Sequence, residues 1–318
     1  IPSSTRRIKP LNNFLGQDRA RASVEAGISL PYSGYNIFAV GTAGLGKRTM
    51  IKRLLQQHAK SMPTPDDWVY VNNFKNARQP LALRFPAGTG PKFQSALHHA
   101  WQTILKQLER RFTAETYHNR IEQIRQETGK EQQDALVELT KEGEELDLKL
   151  ISRNEEHCFV PVQYKDDQVH EMTQNDIEAL SSKERAEIAS NIRYMDKKLE
   201  RLGLHLGSLE DDARDRVSVL NRDIAKQVVI PRMEQILNKH KTVQGLDEFL
   251  KHYADDIIQN VEMILEQEED DFSPALFNRV PSRYQANTIV TNKPNSGAPV
   301  IFDDFPTHYN LLGHVEQL

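Results

Sequence analysis

The sequence is short of several things, and each shortage closes a class of explanation. It has one cysteine, Cys158, in 318 residues, which rules out an internal disulfide and a cysteine-rich zinc site and agrees with a reducing compartment. Net charge is only -4, so the overall balance indicates neither nucleic acid nor an anionic membrane as a partner. No apolar run approaches the roughly 20 residues of a membrane span, and the opening IPSSTRRIKP lacks the apolar core of a secretory signal. These readings predict a soluble, cytoplasmic protein. The first residue is not Met, which suggests an excised or processed chain.

What is present is polar and helical in character. Hydrophobic residues make up 38% and charged residues 27%, with a mean hydropathy of -0.62. This balance suits extensive helix with much solvated surface. The length suggests about two domains.

Three zones follow one another. Residues up to about 92 read as α/β: a short apolar strand at 36–40, a glycine loop, a helix from Arg48 with Met50, Ile51, Leu54 and Leu55 on one side, and a second strand at 68–71. Residues 93–271 are nearly glycine-free and charged. Ile188, Ile192, Met195, Leu199, Leu202, Leu206 and Leu209 alternate spacings of four and three, a heptad seam. An outgoing arm with Leu97, Trp101, Ile104, Leu108, Ile121, Ile124, Leu136, Leu139, Gly143, Leu146 and Leu150 is expected to pack antiparallel to it. Between the arms, residues 157–173 read as a small β-hairpin tip, whose apolar Phe159, Val160, Val162 and Tyr164 are candidate contacts for unfolded polypeptide. Pro231 is expected to kink or end the returning helix. Residues 272–318 return to strand-like sequence at 284–290 and 299–302. The helical zone is therefore an insertion within one α/β domain, made of residues 1–92 and 272–318.

The chemistry lies in Gly41, Thr42, Ala43, Gly44, Leu45, Gly46 and Lys47, which fit the phosphate-loop spacing G-x-x-x-x-G-K. Glycines let the backbone close around phosphates, the following helix presents its positive end, and the lysine reaches the terminal phosphates. A glycine turn that merely precedes a helix is the plain alternative, and the flanking strand and helix argue against it. One departure stands out. The position for the magnesium-holding hydroxyl is Arg48, with Thr49 one place later. Thr49 either takes the metal role through an altered first turn or leaves metal binding weak. Asp303 and Asp304, after the apolar 299–302, look like a magnesium-holding acidic strand, or simply begin a loop. His98, His99, His170 and His308 lack partners at metal-ligand spacing.

Several segments together resemble a known group. Leu15, Gly16 and the residues to Ala20 look like the helix-start motif near the adenine in AAA+ ATPases. Residues 34–38 running into the glycine loop, 68–74, 83–88, 297–300, Pro306 with Thr307, and 310–313 resemble the Lon-related ATP-dependent proteases, whose AAA+ module carries a long helical insertion. The resemblance implies an ATP- and magnesium-dependent, ring-forming (hexameric), cytoplasmic protease acting on protein substrates. Its serine-lysine dyad would lie in a domain that these residues do not contain, and its acidic magnesium strand would lie past Leu318, which sets Asp303 and Asp304 aside. Efficient hydrolysis by this segment alone is then not expected. Two alternatives stay open: a P-loop coiled-coil scaffold with a degenerate nucleotide site, and a chromosome-maintenance-type coiled-coil ATPase, although residues 272–318 lack its Ser-Gly-Gly signature loop.

Overall fold

In a computed structural model, residues 16–30, 32–153, 156–165, 168–269 and 281–313 are described, together with 4, 6 and 8. The chain forms two compact units: Ile1–His99 with Ile236–Leu250 and Val280–Leu318, and Ala100–Gln235 with Lys251–Arg279. Among the described residues no helix is long and apolar enough to cross a membrane.

The first unit contains helices α1 (Asp18–Ser29) and α2 (Lys47–Ala59), strands β1 (Asp67–Val71) and β2 (Leu81–Phe85), and the opening of α3 (Gly90–Phe112). Later segments add the end of α6 (Ser182–Lys239), the start of α7 (Leu246–Gln259), β6 (Ala286–Val290) and α9 (His308–Leu312). The strands form an antiparallel sheet in the order β2-β1-β6. Strand β1 alternates strictly between buried and exposed residues, the period of two that a one-faced sheet requires. Its inward Val69 and Val71 join Phe85, Phe93, Leu97, Leu246 and Phe249 among the buried residues. Phe85 stacks on Phe93 at 4.6 Å, and His240 meets both rings edge-on. Each phenylalanine ring removed from water contributes about 1.5–3 kcal/mol. Burial, with a smaller repulsion from the neighbouring Lys239 ammonium, holds the His240 imidazole below its ordinary pKa.

Asp67 ties this unit together. Fully buried, its carboxylate accepts from the backbone N–H of Gly90 at 2.9 Å and of Asn292 at 2.8 Å. The first bond satisfies an orphan donor at the start of α3, and the negative charge suits that helix end.

The 36–40 segment reads as a strand in sequence but has no ladder partner among the described residues, and neither has 299–302. Phe38 is 91% exposed and Val40 80%.

The second unit holds most of α3, then α4 (Glu115–Glu144), β3 (Leu148–Arg153), β4 (Glu156–Lys165), β5 (Gln168–Glu171), α5 (Gln174–Glu178), most of α6, and α8 (Val261–Glu269). Helices α4 and α6 run antiparallel. Tyr117 bonds Asn221, Glu127 pairs with Arg216, Gln132 meets Glu210 and Glu142 pairs with Lys198, the numbers rising on one helix as they fall on the other. The seam residues Ile188, Ile192, Leu199, Leu202, Leu206 and Leu209 are half-buried and Met195 is fully buried. Pro231 lies inside α6, which continues through it to Lys239; of the expected kink or ending, the ending does not occur.

The tip is a three-stranded antiparallel sheet, β3-β4-β5. Leu146 and Leu150, assigned to the outgoing helix by their spacing, lie beyond its end. Helix α4 stops at Glu144, and Asp147 adopts a left-handed φ of 54°, which turns the chain into β3. Leu139, Leu148, Phe159 and Met195 form one core cluster, with Leu146, Leu150, Ile192, Leu199 and Leu202 packed against it. Gly143 is required here, because a Cβ at this position would come within 2.5 Å of the Phe159 ring.

Candidate functional site

The glycine loop joins the 36–40 segment to α2. Gly44 and Gly46 take φ values of 85° and 72°, left-handed conformations that are strained for residues with a Cβ. Gly46 caps α2, and its carbonyl receives the first helical bond from Met50 at 2.9 Å. The amides of Lys47, Arg48 and Thr49 therefore stand at the open, positive end of the helix. The Lys47 ammonium donates to the carbonyl of Gly41 and, at 3.0 Å, to that of Thr42. Its charge is thereby folded over the loop.

Beside the loop lies a cavity of about 300 Å³ lined by Gln17, Ala20, Val24, residues 37–41, Leu45, Lys47, Met50 and Ile51. Its lining mixes apolar side chains with the polar Gln17, Ser23 and Lys47. Of the residues that the AAA+ resemblance places near an adenine, Gly16 (φ 77°) and Gln17 (φ 61°) form the left-handed turn that opens α1, and Leu15 lies outside the described residues. Thr42, Ala43 and Leu45 are exposed on the loop.

Arg48 and Thr49 follow on the first turn of α2, both exposed. Successive helical residues are about 100° apart, so the Thr49 hydroxyl points away from the direction taken by position 48. The Arg48 guanidinium meets the Asp304 carboxylate at 2.6 Å and lies 5.7 Å from the centre of the Phe302 ring, which also faces Lys52 at 5.0 Å. The 297–305 segment is fixed on α2 from its far end. Ala298 N–H donates to the Ala59 carbonyl at 2.8 Å, Gly297 N–H to the Thr64 hydroxyl at 3.1 Å, and a Cβ on Gly297 would lie 2.1 Å from the Ala59 oxygen.

Asp304, set aside on sequence grounds, thus stands at the loop. The signal for it was the unusual cation at position 48, which calls for a counter-charge. Asp303 instead accepts from the Phe305 N–H at 2.9 Å, a local turn.

The donor set suits a polyphosphate tail and does not suit magnesium. Glycines, open amides and a lysine favour an anion, whereas a guanidinium stands where a metal-ligating hydroxyl belongs. No group of three His, Cys, Asp or Glu residues able to hold a metal occurs among the described residues.

The tip residues read as substrate contacts divide differently. Phe159 and Val162 are buried, at 4% and 5% exposure, Val160 is half-buried and Tyr164 lies in β4 opposite Val169. Phe159 and Val162 are therefore packed inside the tip and do not stand free at its surface. Among the described residues of the tip, Val169, 47% exposed, is the large apolar side chain most open to solvent.

The family model of the Lon-like LonC helical domain matches residues 67–100. This stretch comprises β1, β2 and the opening of α3 and relates the chain to Lon-like proteins. No curated protein matches the chain.

Proposed function

We propose that this chain is the ATP-binding segment of a Lon-like ATP-dependent protease, an AAA+ P-loop core carrying a helical arm that engages protein substrate. The observation that carries the nucleotide reading is the run of left-handed glycines into the open end of α2 with Lys47 folded over the loop. Phosphates would replace the Gly41 and Thr42 carbonyls as partners of its ammonium. The cavity beside Gln17, Ile37 and Met50 would take the base. The family match at residues 67–100 supports the Lon-like part, and proteolysis, ring assembly and a cytoplasmic site of action are proposed by analogy with that group.

A fluorescent ATP analogue titrated into the chain tests the proposal. Saturable binding that ATP displaces and that Lys47→Ala abolishes is expected. Equal signals from both proteins would remove the nucleotide reading and favour a scaffold with a decayed loop. For the arm, Val169→Asp is expected to weaken capture of a permanently unfolded protein while leaving the helix content intact, and unchanged capture would remove the tip from the proposal.

A further inference from the structure

We propose that this loop holds a polyphosphate tail directly, without a divalent cation, and that the Arg48 guanidinium supplies the positive charge that magnesium supplies in loops with a hydroxyl at that place. The proposal rests on the nucleotide-binding reading and specifies how the same site meets its ligand.

A phosphate loop that uses magnesium needs an oxygen ligand next to its lysine. Here the side chain next to Lys47 is itself a cation, which repels a metal ion and attracts the anion that the metal would neutralise. Thr49 does not restore the ligand, because it is rotated about 100° around the helix. A guanidinium is well suited to the substitution. Its planar fork donates two parallel hydrogen bonds to a phosphate and stays charged at any working pH.

Arg48 is also placed for such a role. Its partner Asp304 is 62% exposed and Arg48 itself 65%, and ion pairs this open to water are weak and readily exchanged. The Phe302 ring beneath Arg48 and Lys52 keeps both cations on the face of α2 that Asp304 approaches. Asp304 thus parks the guanidinium at the loop until a more highly charged anion takes it.

Calorimetric titration of the complete chain with ATP, and separately with inorganic tripolyphosphate, in EDTA and in excess magnesium tests this. The dissociation constants in EDTA are expected to be no weaker than those in magnesium. Arg48→Ala should weaken binding of both ligands in EDTA about tenfold or more, and Arg48→Thr should make binding depend on magnesium. Asp304→Asn should tighten binding a fewfold by releasing Arg48. Both positions are exposed, and circular dichroism verifies that each variant is folded. Wild-type binding that requires magnesium, or binding in EDTA that Arg48→Ala leaves unchanged, would overturn the inference and leave the nucleotide reading standing. Failure of the wild type to bind ATP in either buffer would overturn both.

Discussion

Two apolar pentads of the first unit invite comparison: Asn36, Ile37, Phe38, Ala39 and Val40 before the glycine loop, and Asp67, Trp68, Val69, Tyr70 and Val71 in β1. Their compositions are alike, yet Val69 and Val71 are buried to 0% and 2% exposure while Phe38 and Val40 stand at 91% and 80%. The difference is in their neighbours. Strand β1 pairs with β2 on one side and β6 on the other, and the inward Asp67 bonds two backbone amides. The 36–40 segment has no ladder partner among the described residues. Strand propensity is thus realised only where pairing and burial accompany it.

If this contrast is right, stability resides in the packed elements and the loop region contributes little of it. The largest effect is expected at Asp67. Asp67→Ala leaves the Gly90 and Asn292 amides without their acceptor, and urea unfolding should show a loss of about 3 kcal/mol. In the second unit, Gly143→Ala drives a methyl group toward the Phe159 ring and should cost about 1–3 kcal/mol, read as a lowered midpoint of the same transition. Asn221 is buried, accepts from the Tyr117 hydroxyl at 3.0 Å and donates to Glu262 at 2.8 Å. Asn221→Leu should cost about 1–2 kcal/mol. Phe38→Ser should change stability by less than about 0.5 kcal/mol. A large loss there would mean that the 36–40 segment is packed after all.

The His240 imidazole gives the packed region a pH signature. Its folded pKa is lowered, mainly by burial, so the unfolded chain binds its proton more tightly. Its contribution is therefore full above the unfolded value of about 6.5 and is lost as the pH falls from there through the folded value. His240→Phe should flatten this part of the stability profile.

Much of the helical arm was legible. The seam from Ile188 to Leu209 needs only local periodicity, and α6 follows it. Strands at 68–71 and 284–290 were legible as segments, but their pairing joins residues more than 200 positions apart, which no local pattern encodes. The third tip strand was missed because Leu146 and Leu150 keep helical spacing. Asp147, a residue that tolerates the left-handed conformation, was the local sign that the helix had ended. Phe159 and Val162 look outward in sequence because an apolar hairpin gives no local sign of the surface that covers it. At the loop, Gly44, Gly46 and Lys47 were plain from spacing, while Asp304 was brought to Arg48 by the Gly297 and Ala298 contacts with α2, a tertiary event.

Nucleotide binding by the loop from Gly41 to Lys47 is the central claim, and calorimetry with ATP on the wild-type chain and on Lys47→Ala tests it most directly. A saturable one-site isotherm is predicted for the wild type, and it should disappear in the variant. Matching isotherms, or no heat from either protein, would contradict the claim.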